Sequence, residues 1–409
     1  MASSLVQFDA IYNILIVVIL ITLITRKLNF PQTLGLIIAG IYSTLFTQFQ
    51  LPHLETDIFI SILLPPILFQ ETQNLDVNEL IEDTDLILSY AVLGTITMVA
   101  SISIFSRIIL GFSVIESLLL GIIIAPTDPI AVISTFHNTK VIKRFQLLVA
   151  GESLFNDGVA IVVYSILITI ATLGSLTVLE MSIISFISIV GGILIGLLTG
   201  YFIHFIFCWT EDKFVEVLVS FVAVFGGFHF AEQLGASGVL AIVIAGLIIN
   251  YRSKKFGGIG RQSIDMLDAT WEFIGFITQS IAFIFIGMNT DTTVLTSYVG
   301  PIFAIMAFTL LARYIMVEIV ASIVMRTRNK YIPNNWTLGL TWSGLRGGVS
   351  IVLALGASSI GFPHSEELLA LTFGVVLVSN VLQGLTMVKA VNLLKLSDRQ
   401  DDSTLSGMV

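Results

Sequence analysis

The chain has 409 residues, 56% hydrophobic and only 11% charged, with a mean hydropathy of +0.97. Soluble domains carry about 25% charged residues, so this composition excludes a soluble globular protein and indicates an integral membrane protein. The formal net charge of −9 argues against a nucleic-acid partner, and a single cysteine, Cys208, excludes a disulfide framework and a cysteine-based metal site.

A helical span needs about 20 apolar residues. The sequence divides on that scale into thirteen candidate spans, near 10–25, 33–48, 57–71, 86–110, 114–136, 144–173, 180–208, 214–232, 236–250, 269–289, 296–325, 335–360 and 366–394. The first run lacks a basic flank before it and a small-residue cleavage site after it, and reads as a retained span. Arg26 and Lys27 lie in the first loop; Lys140, Lys143 and Arg144 in the fifth; Lys213 in the seventh. Arg252, Lys254, Lys255 and Arg261 lie in the ninth, Arg326, Arg328 and Lys330 in the eleventh, and Lys389, Lys395 and Arg399 at the C-terminal end. These are the odd loops plus the tail, so the positive-inside rule puts the N-terminus outside and the C-terminus in the cytoplasm.

Thirteen spans permit two six-helix repeats of opposite orientation, spans 1–6 and 8–13. Two spans in matching positions are interrupted: the fifth by Ala125-Pro126-Thr127-Asp128-Pro129, the twelfth by Gly344-Leu345-Arg346-Gly347-Gly348. Interrupted helices in corresponding positions of two halves point to a transporter binding site. The prolines remove backbone donors and free carbonyls, and Thr127 and Asp128 add a hydroxyl and a carboxylate, an all-oxygen set suited to a hard monovalent cation. Arg346 can neutralise carbonyl ends where two broken helices cross, or pair with Asp128; the two readings are compatible.

The sixth span carries Gly151 to Tyr164, which places Glu152, Ser153, Asn156 and Asp157 inside an apolar run. Ionisable groups at that depth cost about 2.5–3.5 kcal/mol each on insertion scales and mark ion or proton sites. Glu152 and Asn156 share one helix face, Ser153 and Asp157 the next. Glu152 is expected to pair with an arginine; Arg313 in the eleventh span is the available partner, with Arg346 second. Asp157 has no local cation and can exchange a proton for a metal ion. An intramembrane hydrolase is disfavoured, because Ser153 has no paired base.

These residues, with Leu64-Pro65-Pro66-Ile67 in the third span, match in order the motifs of the monovalent cation/proton antiporter-1 family, the Na+/H+ exchangers of the NhaP and NHE type. The resemblance covers essentially the whole chain. It implies an all-α membrane protein with an NhaA-like antiporter fold and crossed broken helices. It also implies a homodimer in the bilayer whose core bundle (approximately 86–173 and 296–394) moves against a dimerisation scaffold (approximately 10–71 and 180–289). The activity so implied is exchange of H+ for Na+ or Li+ across a prokaryotic plasma membrane, without a cofactor. Asp157 would hold cation or proton, Na+ would sit at Asp157, Ser153 and Thr127, and Asp128 and Asn156 would complete the site. Asn156-Asp157 resembles the family's pair associated with electroneutral exchange, and Glu152 with Arg313 its structural ion pair. The pattern departs at Gln70-Glu71, where the eukaryotic exchangers place an acid shortly after the Pro-Pro motif; Glu71 could do that task from a shifted position. K+/H+ exchange and a non-transporting sensor that keeps the fold are the alternatives.

Glu71, Asp76, Glu79, Glu82, Asp83 and Asp85 form an acidic run free of Lys and Arg. It reads as a solvated loop or as a funnel that concentrates cations. His204 and His229 read as helix-packing histidines, and the Gly-rich seventh span as a close-packing helix.

Overall fold

A computed structural model describes residues 2–28, 30–45, 56–129, 132, 133, 136, 139–174, 177–210, 212–256, 261–289, 292–328, 332–361 and 364–397. The end of the second expected span (46–48), part of the fifth beyond Pro129, and Lys330 and Arg399 lie outside them. The described chain is helical, with one isolated bridge between Val141 and Ser397.

In chain order, α1 is Ala2–Leu28, α2 Gln32–Leu45, α3 Thr56–Gln73, α4 Val77–Glu82 and α5 Thr84–Phe105, continued by a π turn over Ser106–Leu110. Then come α6 Val114–Ile124, α7 Lys143–Leu173, α8 Val178–Phe207, α9 Lys213–Gln233, α10 Gly238–Phe256 and α11 Arg261–Met288. The last are α12 Thr292–Ser297, α13 Val299–Arg328, α14 Asn334–Trp342, α15 Gly348–Ser359, α16 Ser365–Ser379, a π turn over Asn380–Gly384, and α17 Leu385–Leu393. Among the described residues six helices are long and apolar enough to cross a membrane: 84–110, 143–172, 179–207, 213–233, 299–326 and 365–393. Four shorter apolar helices accompany them, 32–43, 114–124, 238–253 and 348–358. The chain is thus a multi-pass membrane protein.

Helix ends follow local chemistry. α6 opens on a capping box in which Ser113 and Glu116 satisfy each other's backbone donors, and α8 on another formed by Thr177 and Glu180. In α8 the glycines do pack closely: a Cβ on Gly196 would meet Ala241 of α10, and one on Gly200 would meet Ala245.

The acidic run differs from a plain loop. Asp76 caps α4 by accepting from the backbone N–H of Asn78 and Glu79. Asp83 is buried and accepts two hydrogen bonds from Arg144, at 2.6 and 2.9 Å. The run lacks a basic residue in sequence, but α7 supplies one in space. His204 and His229 contact their own helix turns, at Cys208 and Gln233.

Candidate functional site

Both expected interruptions are breaks in helical structure, Ala125–Pro129 after α6 and Ser343–Gly347 between α14 and α15. Pro126 and Pro129 lack the donors that would continue α6. The two breaks touch directly. The backbone N–H of Asp128 donates to the carbonyl of Leu345 at 2.8 Å. The guanidinium of Arg346 donates to the carbonyls of Ala125 at 2.5 Å and Pro126 at 3.2 Å. Among the described residues Arg346 makes no ion pair, so its charge faces the negative carbonyl end of α6. Asp128 is set against Gly347, which precedes α15, and any Cβ there would collide with the carboxylate. A negative group therefore faces the positive start of one half-helix and a positive group the negative end of the other.

The π turn after α16 braces this crossing. Asn380 donates to the carbonyl of Arg346 at 2.9 Å, and Ser379 accepts from its backbone N–H at 3.1 Å. Such turns recur at functional sites because they re-aim side chains and backbone groups.

α7 passes beside the first break. Asn156 donates from Nδ2 to Thr127 Oγ1 at 2.9 Å, and Thr127 Oγ1 lies 3.2 Å from Ser153 Oγ. Ser153 in turn donates to the carbonyl of Thr127. Thr127, Ser153 and Asn156 thus form one buried oxygen-rich cluster. One turn back on α7, Glu152 forms a two-pronged ion pair with Arg313 of α13, at 2.7 and 2.6 Å, with both side chains almost fully buried. Arg313 also donates to the carbonyl of Leu340 at 3.0 Å, and Gly344 leaves room for its guanidinium.

Asp157 is 2% exposed, and its Oδ1 meets no hydrogen-bond partner. It lines a small cavity together with Thr127, Asp128, Glu71, Gln279 and Ser350. Ser350 Oγ and Glu71 Oε2 are likewise buried without partners. The structure therefore brings together Asp157, Asp128, Thr127 and Glu71, with Ser153 and Asn156 behind Thr127, and sets Glu152, Arg313 and Arg346 around them as partnered charges.

Glu71 also lines a second cavity of about 510 Å³, whose rim carries Asp76, Glu79, Glu272 and, among the described residues, one cation, Lys143. Glu71 is thus the shared wall between the small cavity and a mostly acidic vestibule. Its position is held from α10: Asn250 Nδ2 donates to the carbonyls of Thr72, Gln73 and Leu75, at 2.6, 3.2 and 2.8 Å. The vestibule lies on the face of the fifth loop, which carries basic residues.

Sequence reasoning missed Gln279, Ser350 and Asn250. Each lies in a mainly apolar helix; Gln279 follows Thr278 and precedes Ser280, a polar step in an otherwise hydrophobic run. That was a usable signal, but nothing in the sequence says which helix it faces. Among the described residues no group of three or more His, Cys, Asp or Glu side chains has the geometry of a tight metal site.

The family described as sodium/hydrogen exchanger, transmembrane, matches residues 14–392. A low-affinity Na+/H+ antiporter of Synechocystis is 31% identical over 368 residues, covering 89% of this chain and 69% of that protein. The Na+/H+ antiporter NhaP of Pseudomonas aeruginosa is 30% identical over 387 residues, covering 88% and 91%. Among solved structures, the sodium proton antiporter MjNhaP1 of Methanocaldococcus jannaschii superposes with a TM-score of 0.78 at 20% identity, covering 95% of this chain and 99% of that one.

Proposed function

The chain belongs to the sodium/hydrogen exchanger family, a family of membrane transporters and not of enzymes, and we propose that it exchanges one H+ for one Na+ or Li+ by alternating access. The observation that carries this reading is the contrast around Asp157: a buried carboxylate oxygen without a partner, beside an oxygen cluster, while Glu152, Arg313 and Arg346 nearby all have partners. A buried lone carboxylate is tolerable when neutralised, by a proton or by a cation. The two occupants exclude each other, which is the coupling an antiporter needs.

In this reading Asp157, with Thr127, Ser153, Asn156 and Asp128, binds the dehydrated cation. Glu152, Arg313 and Arg346 keep their charges throughout and set the shape of the crossing. Glu71 faces the vestibule and passes ions between it and the site. Since only Asp157 changes occupancy, each crossing state carries the same charge. Exchange is then electroneutral, and each pH unit of gradient is worth about 1.4 kcal/mol.

The architecture proposed with this mechanism has thirteen spans with the N-terminus outside and the C-terminus in the cytoplasm of a prokaryotic plasma membrane. The core bundle (approximately 86–173 and 296–394) slides against the scaffold (approximately 10–71 and 180–289) of a homodimer. With the basic loops in the cytoplasm, the vestibule beside Lys143 would be the inward entrance to the site.

Proteoliposomes test this directly. Adding Na+ or Li+ should drive proton flux at several pH values, while an imposed membrane potential without ion gradients should drive none. Equal flux with K+ would favour the K+/H+ alternative. A steady flux that reverses with the voltage would show that a second acid titrates. No flux with any cation would favour a sensor that keeps the fold.

A further inference from the structure

Gln279 reaches the site from α11, a helix of the proposed scaffold. α11 is locked to α2, because Cβ atoms at Gly40 and Gly287 would collide with the facing backbone. It is locked to α3 and α9 as well. Trp271 packs on Phe69 at 4.6 Å and on Phe221 at 4.7 Å between ring centroids, and its indole N–H donates to Ser220 at 3.0 Å. Gln70 of α3 is set directly against Gly275. Asp128 is tied elsewhere, through its backbone to Leu345 and through neighbouring Thr127 to Ser153 and Asn156 of α7.

A hydrogen bond crosses from the first group to the second at the cavity itself. Gln279 Nε2 donates to Asp128 Oδ2 at 3.4 Å, at the long end of the hydrogen-bond range. The same side chain lines the cavity that Asp157 and Glu71 share. A glutamine suits this place. It donates to a carboxylate without adding a charge, where an acid would repel Asp128 and a hydrocarbon would offer it nothing. A long bond is weak, and so is easily broken when the two bodies move.

We propose that Gln279 is a positioning residue of the cation site, holding Asp128 from α11 only in the state open to the acidic vestibule and thereby setting cation affinity on that face alone. The proposal rests on the exchange reading of Asp157 and Asp128. Once the bodies slide, α11 no longer faces Asp128, and the opposite face loads its cation without this contact. The protein would then bind Na+ unequally from its two sides, with the amide as the cause.

The test measures the apparent KM for Na+ in membrane vesicles of both orientations, for wild type, Gln279→Leu, Gln279→Asn and Gln279→Glu, beside Asp157→Asn. Losing this long hydrogen bond to a charged group should raise KM on the vestibule face by about threefold to tenfold. For Gln279→Leu, KM on the opposite face should change far less than KM on the vestibule face. Gln279→Asn, a donor one methylene shorter, should restore part of the loss. Gln279→Glu keeps the shape but adds a negative charge near Glu71, Asp128 and Asp157. That charge favours the proton-loaded site, so the pH profile should move to alkaline values, which a packing role would not produce.

Unchanged KM on both faces, or equal changes on both with a lowered Tm, would overturn the proposal. If Gln279→Leu fails to fold, the pH profile of Gln279→Glu decides: an unshifted profile overturns it. Wild-type exchange by Asp157→Asn would instead sink the underlying site reading, whatever the Gln279 variants do.

Discussion

Glu152 and Asp157 stand five residues apart on one helix, are 3% and 2% exposed, and face opposite fates. Glu152 meets both terminal guanidinium nitrogens of Arg313, while Asp157 presents an oxygen to a small cavity with no partner. A buried acid with its own cation acts as a strut; a buried acid without one is stable only when something mobile neutralises it. At the crossing Arg346 is spent on carbonyls, while Asp128 lines the cavity and accepts from Gln279. Charge partners therefore separate framework from site within a few ångströms.

Several substitutions can break that division. The largest effect is expected at Asp157. Asp157→Asn keeps the volume and removes the exchangeable proton, so Na+-driven proton flux in proteoliposomes should fall to background while the Tm is kept or raised.

Glu152→Ala should invert the pattern. It strands a buried guanidinium at a cost of roughly 3–5 kcal/mol, and the Tm should drop well below that of Asp157→Asn. Equal Tm values for the two variants would erase the distinction between strut and site. Arg313→Ala should match Glu152→Ala, and the double variant should lose less than the sum of the two, since the remaining partner is no longer stranded.

A smaller loss is expected at Asp83, whose pairing with Arg144 lies at the protein edge with the arginine side chain 37% exposed. Asp83→Asn should cost about 1 kcal/mol or less, read by thermal unfolding, with exchange preserved.

The smallest effect concerns His364 in the loop before α16, which contacts Glu116 at 2.9 Å. That hydrogen bond holds the imidazole above its ordinary value of 6.5. A raised folded-state value stabilises fully below pH 6.5, and the stabilisation disappears as pH rises through the folded value. The Tm difference between wild type and His364→Gln should therefore be greatest in acid and vanish in alkali. A difference that grew with pH would contradict it.

Much of this arrangement was legible before any coordinates. The positions of the helices follow from apolar runs, and the two breaks from proline and glycine set beside a charge. Their contact is less local, but an acid in one break and an arginine in the other suggested that the breaks meet. What stayed hidden were partners far apart in the chain. Asp83 finds Arg144, 61 residues on, and Asp128 finds Gln279, 151 residues on. Hydropathy says that a residue is inside a membrane protein, not which neighbouring helix it faces. Asn250, which clamps the end of α3, was invisible for the same reason, as was α4, too short and polar to stand out from a loop.

The central claim is that one carboxylate exchanges its proton for the cation, and proton release on cation binding tests it most directly. Na+ is added to the purified protein in weakly buffered detergent solution, and the pH change is followed. The account predicts release that saturates near one proton per chain in wild type and is absent in Asp157→Asn. The same release from Asp157→Asn would contradict it.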